Sequence, residues 1–173
     1  MNTHNGWLWL LPVAALTTPA YATTYLTVEQ AQQLMFPGQT LTSAPIKLDE
    51  AQRLTVERAS GLAVPHTDFA VWRASSGGYF FLDAVIGKHE LITYALGVNP
   101  DGTIKDVEIL DYRESYGGEI RNAGWRTQFV QKSAADPLKL DQDIRNISGA
   151  TLSSRHVTDG VRRLMAIHAL LPR

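Results

Sequence analysis

The residues best suited to chemistry stand near the C-terminal end, as Ser148-Gly149-Ala150-Thr151 followed by Leu152-Ser153-Ser154-Arg155. Hydroxyl groups here can accept hydrogen bonds from the free N–H groups that begin a helix, and Gly149 lets the backbone turn sharply into it. The same N–H groups make a helix start favourable for an anion such as phosphate, to which Arg155 could add a counter-charge. The stretch therefore predicts a helix cap, an anion site, or both.

A second candidate is the loop Glu114-Ser115-Tyr116-Gly117-Gly118-Glu119, which follows a predicted strand. Two adjacent glycines suit a loop whose backbone must come close to a ring system or a phosphate. An ordinary turn at the end of a strand has the same composition. If the loop binds a ring, we expect Glu114, Tyr116, Gly117 and Gly118 to line it, with Tyr116 stacked on the ring.

Two aromatic residues follow this loop. Trp125 and Phe129 are spaced i, i+4, which predicts an aromatic pair on one helix face. Such a pair more often belongs to a hydrophobic core, but a tryptophan near a planar ligand can pack on its face. Trp125 is therefore a third candidate for the site, and Phe129 is not.

Three helices should support these residues. The segments 27–36 and 49–60 each open with a capping residue and carry a glutamine three positions later, which is the spacing of a capping box. A final helix over 152–171 has apolar residues at helical spacing. Gly160 lies inside it and costs roughly 1 kcal/mol of helix propensity relative to alanine, so packing has to outweigh that local weakness.

Between the second and third helices the pattern changes to that of β-strands. Short runs rich in β-branched and aromatic residues, separated by turn signals, cover residues 69–74, 79–86, 91–98 and 104–112. Such short connections favour an antiparallel meander over a parallel sheet. One face of strand 91–98 carries small residues, Ala95 and Gly97 among them. Such a face allows close approach of a helix or of a planar ligand, and helix packing is the favoured interpretation. We predict an α+β fold in which an antiparallel meander packs with N-terminal helices and a C-terminal helix.

Composition restricts the chemistry. The chain has 173 residues, 45% hydrophobic and 19% charged, which is typical of a globular domain. Its 16 Lys and Arg balance 17 Asp and Glu, so it lacks the positive charge that nucleic-acid binding needs. Without cysteine it has no thiolate zinc site or thiol redox centre, and it lacks the Gly-x-Gly-x-x-Gly fingerprint of NAD or FAD sites. Electron chemistry would therefore need a borrowed cofactor.

The first 22 residues differ from the rest. They contain no Lys, Arg, Asp or Glu, and an apolar stretch over 7–16 is followed by Ala20-Tyr21-Ala22, small residues at the positions a signal peptidase recognises. A membrane-spanning helix would need about 20 apolar residues, and Pro12 interrupts this run. We expect a signal peptide over 1–22, cleavage near Ala22 and a periplasmic protein.

The motif Ser148-Gly149-Ala150-Thr151 before a helix, with a Gly-Gly loop upstream, resembles the FMN-binding domain family. The likeness covers roughly residues 78–170. It extends in order and spacing over Gly87-Lys88-His89-Glu90, Asn99-Pro100-Asp101-Gly102 and Tyr112 to Glu119. The chain departs from the family where members often carry an acidic residue, about six positions before the motif threonine, because Arg145 stands there.

The resemblance implies a cofactor and its site. The family includes the flavin-carrying subunits of Rnf-type and sodium-pumping NADH:quinone reductase complexes, in which FMN is joined through its phosphate to the motif threonine. Carried over, Thr151 is the attachment residue. The other implied flavin-site residues are Ser148, Gly149, Ala150, Leu152, Glu114, Tyr116, Gly117, Gly118, Trp125 and Arg155.

The implied protein is an exported flavoprotein that transfers electrons between membrane-side and soluble redox partners, rather than a reductase that converts a substrate. Its expected partners are a flavin transferase that uses FAD and Mg²⁺, and membrane or periplasmic redox proteins. After the signal peptide we expect an N-terminal helical and strand segment over 23–77, within the same domain as the FMN-binding part over 78–173. The alternative is a flavin-free periplasmic binding or interaction module that uses Ser148 and Thr151 only as helix caps.

Overall fold

The computed structural model describes residues 23–114 and 116–172, so the predicted signal peptide lies outside the described residues. Seven strands form: β1 (Thr23–Thr24), β2 (Leu41–Ser43), β3 (Ile46–Lys47), β4 (Asp68–Ala74), β5 (Tyr79–Ile86), β6 (Leu91–Val98) and β7 (Ile104–Tyr112). The α-helices are α1 (Val28–Met35), α2 (Glu50–Ser60), α3 (Ala123–Arg126) and α4 (Thr151–His168). Short 3-10 helices cover Gly118–Arg121 and Thr127–Phe129.

The strands make one antiparallel sheet in the order β1-β7-β6-β5-β4-β2, with β3 paired to β4. Its centre is the meander β4 to β7, in which each strand pairs with the next along the chain, so the predicted α+β class and meander are confirmed. The sequence analysis did not identify β1, β2 and β3. They have only two or three residues each, too few to show an alternating pattern.

One face of the sheet packs against α1. Gly97 of β6 lies so close to this helix that a Cβ atom there would be 3.1 Å from Met35 Sδ. Met35 and Phe36 belong to a buried cluster with Ala95 and other residues of this face. The small residues of β6 therefore accommodate a helix, and the packing interpretation is confirmed.

The other face packs against α4, with α2 beside it. Tyr94 and Leu96 of β6 are fully buried in the main core together with Val157 and Val161 of α4. Gly160 lies over Tyr94, because a Cβ atom on this glycine would overlap the Tyr94 hydroxyl and lie 3.0 Å from Val85 Cγ1. The glycine that weakens the helix locally thus permits a close contact between helix and sheet.

A buried polar network reinforces this contact. Asp83 of β5 accepts hydrogen bonds from the Tyr94 hydroxyl at 3.0 Å and from Arg163 Nη2 of α4 at 3.0 Å. Its other carboxylate oxygen lies 3.2 Å from His66 Nε2. Asp83 and Arg163 are each 7% exposed, so removing either partner would leave a charge buried without its counter-charge. The network fixes the position of α4 along the sheet.

The N-caps and the C-terminal ends of α1 and α2 agree closely with the sequence predictions. Thr27 and Asp49 are their N-caps, and both capping boxes form. Gly61 ends α2 in the left-handed conformation with φ of 69°. The last helix ends at His168 instead of 171. No helix in the described ranges has the length and apolar character to cross a bilayer.

We predict that Gly160→Ala destabilises the protein. The added methyl group collides with Tyr94, whose ring is buried and whose hydroxyl is held by Asp83. Overpacking costs about 1–3 kcal/mol, which exceeds the helix propensity gained, so the free energy of unfolding measured in urea should fall by about 1–2 kcal/mol. Gly124→Ala is the matched control, because a Cβ atom there meets nothing within 4 Å. Equal stability of both variants would contradict this account of Gly160.

Candidate functional site

The helix α4 begins at Thr151 without a side-chain cap. Gly149 adopts a φ of +84°. The residue at the N-cap position is Ala150, and its methyl side chain cannot accept a hydrogen bond from the N–H groups of the helix. Thr151 is the first helical residue, one position too late to cap, and Ser148 makes no cap contact. The prediction that these hydroxyl groups cap the helix is therefore wrong. The helix start keeps N–H groups that no described side chain satisfies.

Thr151 is partly exposed, and its hydroxyl contacts one side chain. Asn146 Nδ2 donates to Thr151 Oγ1 across 3.3 Å. Sequence analysis missed Asn146, because its place five residues before the threonine fits no motif of helix capping. This contact links the segment before the motif to the first residue of α4.

A cleft of about 530 Å³ opens beside Thr151. Three chain segments form it: the start of α4, the turn between β5 and β6, and the loop that follows β7. Its lining residues are Lys88, His89, Glu114, Tyr116, Gly149, Ala150, Thr151, Leu152 and Ser153. The cleft thus unites the two stretches that the sequence singled out, although more than 30 residues separate them.

A second cleft, of about 450 Å³, adjoins the first and shares Glu114 and Tyr116 with it. Gly117 and Gly118 line this second cleft, and the Arg121 guanidinium lies 3.2 Å from the centre of the Tyr25 ring there. Tyr116 stands between the two clefts and is 85% exposed. Its ring is therefore free to contact a planar group in either one.

The loop between β7 and the first 3-10 helix is held against α4 by Tyr112. The Tyr112 hydroxyl donates to the Tyr116 carbonyl and lies 3.1 Å from Ser153 Oγ of α4. Burial raises the pKa of Tyr112, so its hydroxyl remains a proton donor at neutral pH. A Cβ atom on Gly117 would lie 2.6 Å from the Tyr112 oxygen, and its φ is +92°. Glycine is therefore required at this position.

Three predicted site residues line neither cleft. Ser148 and Arg155 are exposed on either side of the start of α4. Trp125 is 6% exposed, belongs to the core and packs edge-on against Phe129, with ring centroids 5.2 Å apart. The pair lies on α3 and a 3-10 helix instead of one regular helix. Trp125 Nε1 donates to the Arg145 carbonyl at 2.8 Å, so the tryptophan positions the segment that leads to the motif.

The acidic residues upstream of the motif differ in their surroundings. The Asp143 carboxylate accepts hydrogen bonds from the N–H groups of Leu138 and Lys139 and pairs with Lys132 at 3.1 Å. Although partial burial opposes its charge, these contacts lower the pKa of Asp143. Asp141 and Arg145 are exposed. Asp143 thus stabilises the loop in which it lies. Of the charged residues on this segment, the positively charged Arg145 is the nearest in sequence to the motif.

Across 23–114 and 116–172, no three His, Asp or Glu side chains come together as a metal site would require. The lining of the first cleft instead includes a hydroxyl-bearing side chain, the start of a helix, and a glycine whose backbone a ligand can approach closely. These are features of a site for a phosphate-bearing ligand.

Comparison with known proteins agrees with this chemistry. Residues 87–166 match the model of the FMN-binding domain family. Through this segment, the chain is similar to that family. The match contains the β5–β6 turn, the Gly-Gly loop and most of α4, and it therefore includes every residue that lines the first cleft.

A curated relative extends the likeness beyond this segment. The chain is 26% identical over 136 residues to a protein of Acetobacterium woodii that belongs to the Na⁺-translocating ferredoxin:NAD⁺ oxidoreductase complex. The alignment covers 73% of this chain and 60% of the relative. The chain therefore spans less than two thirds of the length of the protein it matches.

The residues of the cleft fit FMN. Its volume lies within the range of about 300–1,000 Å³ that small-molecule sites occupy. The uncapped start of α4 suits the phosphate, and the exposed Tyr116 ring can contact the planar ring system.

We predict that Gly117→Ala disrupts the loop beside the cleft. The new methyl group would clash with Tyr112 and would force an L side chain into a left-handed backbone conformation, at a cost of about 1–3 kcal/mol. The midpoint of thermal unfolding should fall. Gly118→Ala is the control, because its Cβ atom meets nothing within 4 Å and its φ is not positive. A Gly117→Ala variant as stable as Gly118→Ala would refute the requirement for glycine.

Proposed function

We propose that this chain is an exported flavoprotein that carries FMN in phosphoester linkage to Thr151 and transfers electrons between membrane-side and soluble redox partners. The observation that carries the proposal is the place of the Thr151 hydroxyl. Thr151 is the first helical residue of α4, is partly exposed, and lines a cleft of ligand size within the segment that matches the FMN-binding domain family.

The start of α4 supports the linkage electrostatically. A phosphate diester on Thr151 Oγ1 retains one negative charge, and this charge would lie where the helix presents free N–H groups. Ala150 supplies no competing side-chain acceptor. The absence of a cap, which would leave an ordinary helix start less stable, is thereby explained.

The remaining lining residues would hold and orient the flavin. Leu152 is 44% exposed and offers apolar contact beside Thr151, whereas Tyr116 offers an aromatic face across the cleft. When bound, FMN supplies the electron transfer that a chain without cysteine cannot perform through its own side chains. A covalent link would also prevent loss of the cofactor outside the cytoplasm.

The proposal implies two kinds of partner. A flavin transferase that uses FAD and Mg²⁺ would form the bond between the threonine oxygen and the FMN phosphate, with AMP as the leaving group. Membrane or periplasmic redox proteins would then exchange electrons with the flavin. The similarity to a component of an oxidoreductase complex supports a partner of this second kind.

The flavin-free alternative has lost its structural argument. It assigned Ser148 and Thr151 to capping α4, but neither side chain caps the helix. Thr151 instead lines a cleft, and its hydroxyl accepts a hydrogen bond from the amide of Asn146.

We predict that Thr151→Val abolishes flavin attachment. When the chain is expressed with a flavin transferase, its intact mass should exceed that of the bare polypeptide by one FMN less one water. Thr151→Val lacks the hydroxyl and should show no added mass. Valine has nearly the same shape, so the fold should be retained and the far-UV circular dichroism unchanged.

The matched control is Thr127→Val, which removes the hydroxyl of an exposed threonine outside both clefts. This variant should gain the same mass as the wild-type chain, one FMN less one water. A wild-type chain that remains colourless and unmodified beside a competent transferase would overturn the proposal, as would full modification of Thr151→Val.

A further inference from the structure

Glu114 is the residue that joins the two sides of the first cleft. Its Oε1 atom accepts hydrogen bonds from the backbone N–H groups of His89 and Glu90, the latter at 2.9 Å. These groups lie in the turn between β5 and β6, 24 to 25 residues earlier in the chain. The carboxylate therefore fastens the turn to the end of β7.

Gly87 makes this close approach possible. A Cβ atom at Gly87 would lie 2.7 Å from Glu114 Oε1 and 3.1 Å from Glu114 Cγ. The Gly87 N–H donates to the Glu90 carbonyl at 2.8 Å and closes the turn. Although partial burial opposes the charge, the N–H groups of Glu90 and His89 outweigh it and lower the pKa of Glu114. At neutral pH the carboxylate is charged and engaged by the turn.

Lys88 lies in the middle of this turn and lines the cleft that contains Thr151. It is the only lysine or arginine among the nine lining residues. No described carboxylate forms an ion pair with it, and Oε1 of the Glu114 carboxylate accepts hydrogen bonds from backbone N–H groups. Among these lining residues, the ammonium of Lys88 is therefore the free positive charge, and its place depends on the turn that carries it.

We propose that Glu114 is a positioning residue: by fastening the β5–β6 turn it places the Lys88 ammonium beside the flavin, where this positive charge raises the reduction potential. The flavin would gain its electrons from an external redox partner, which is oxidised in turn. Because reduction adds negative charge, a fixed cation nearby stabilises the reduced state more than the oxidised state. This inference has a mechanical part, the fastening of the turn by Glu114, and an electrical part, the effect of Lys88 on the reduction potential. Only the electrical part rests on the proposed function.

Hydrogen exchange on the unloaded protein tests the mechanical part. In Glu114→Ala the amides of His89 and Glu90 lose their charged acceptor, and their exchange should accelerate about tenfold or more. Glu119→Ala is the matched control, because it removes an exposed carboxylate from the same loop without touching the turn. If these two amides exchange at the same rate in Glu114→Ala as in the wild-type protein, Glu114 does not fasten the turn.

Redox titration of the flavin-loaded protein tests the electrical part. Lys88→Gln should lower the midpoint potential, whereas Lys139→Gln, which removes an exposed lysine outside both clefts, should leave it unchanged. In a Glu114→Ala background the turn is released, so Lys88→Gln should produce a smaller shift than it does in the wild-type chain. This double-mutant comparison separates positioning from a general loss of stability.

The outcomes distinguish the inference from the function on which it rests. Absence of any flavin on the wild-type chain would overturn the proposed function, while the exchange experiment would still decide the role of Glu114. If flavin binds and Lys88→Gln leaves the potential unchanged, the role of the lysine is refuted. If Lys88→Gln gives the same shift with and without Glu114, the carboxylate does not position it.

Discussion

The contact between α4 and the sheet is the interaction on which the candidate site depends. Gly160 allows the helix to lie directly on Tyr94, and the pair Asp83–Arg163 fixes its position along β5. Helix α4 has 18 residues, and a helix rises 1.5 Å per residue. A shift of the helix by one turn would carry Thr151 several ångströms away from the cleft, so buried groups far from the site determine where its hydroxyl lies.

The strand register brings the remaining parts of the site to the same end of the sheet. Ile92 pairs with Tyr112, so the β5–β6 turn and the end of β7 are neighbours. His156 Nδ1 lies 3.1 Å from the Gly87 carbonyl and links the first part of α4 to the same turn. Three segments distant in sequence meet here because antiparallel strands return the chain to one edge. The meander thus supplies two walls of the cleft, and the start of α4 supplies the third.

Sequence patterns predicted what depends on local or repeated features. The capping boxes at Thr27 and Asp49 and the meander of four strands follow from fixed spacings, and all of them form. The end of α4 and the cap expected from Ser148 and Thr151 were wrong, because the backbone at Gly149 decides which residue reaches the N-cap position. The role of Glu114 could not be predicted, because its partners lie 24 to 25 residues away and are backbone N–H groups, which every residue except proline offers.

The partial exposure of Thr151 also bears on when the proposed flavin attachment would take place. The threonine lies in the first turn of a helix that is held by its packing against the sheet, and it is partly exposed where it lines the cleft. A modifying enzyme would therefore not need to act on a nascent or unfolded chain. Under the proposed function, the polypeptide would fold first and receive its flavin afterwards, so cofactor supply would limit the yield of finished protein without limiting its folding.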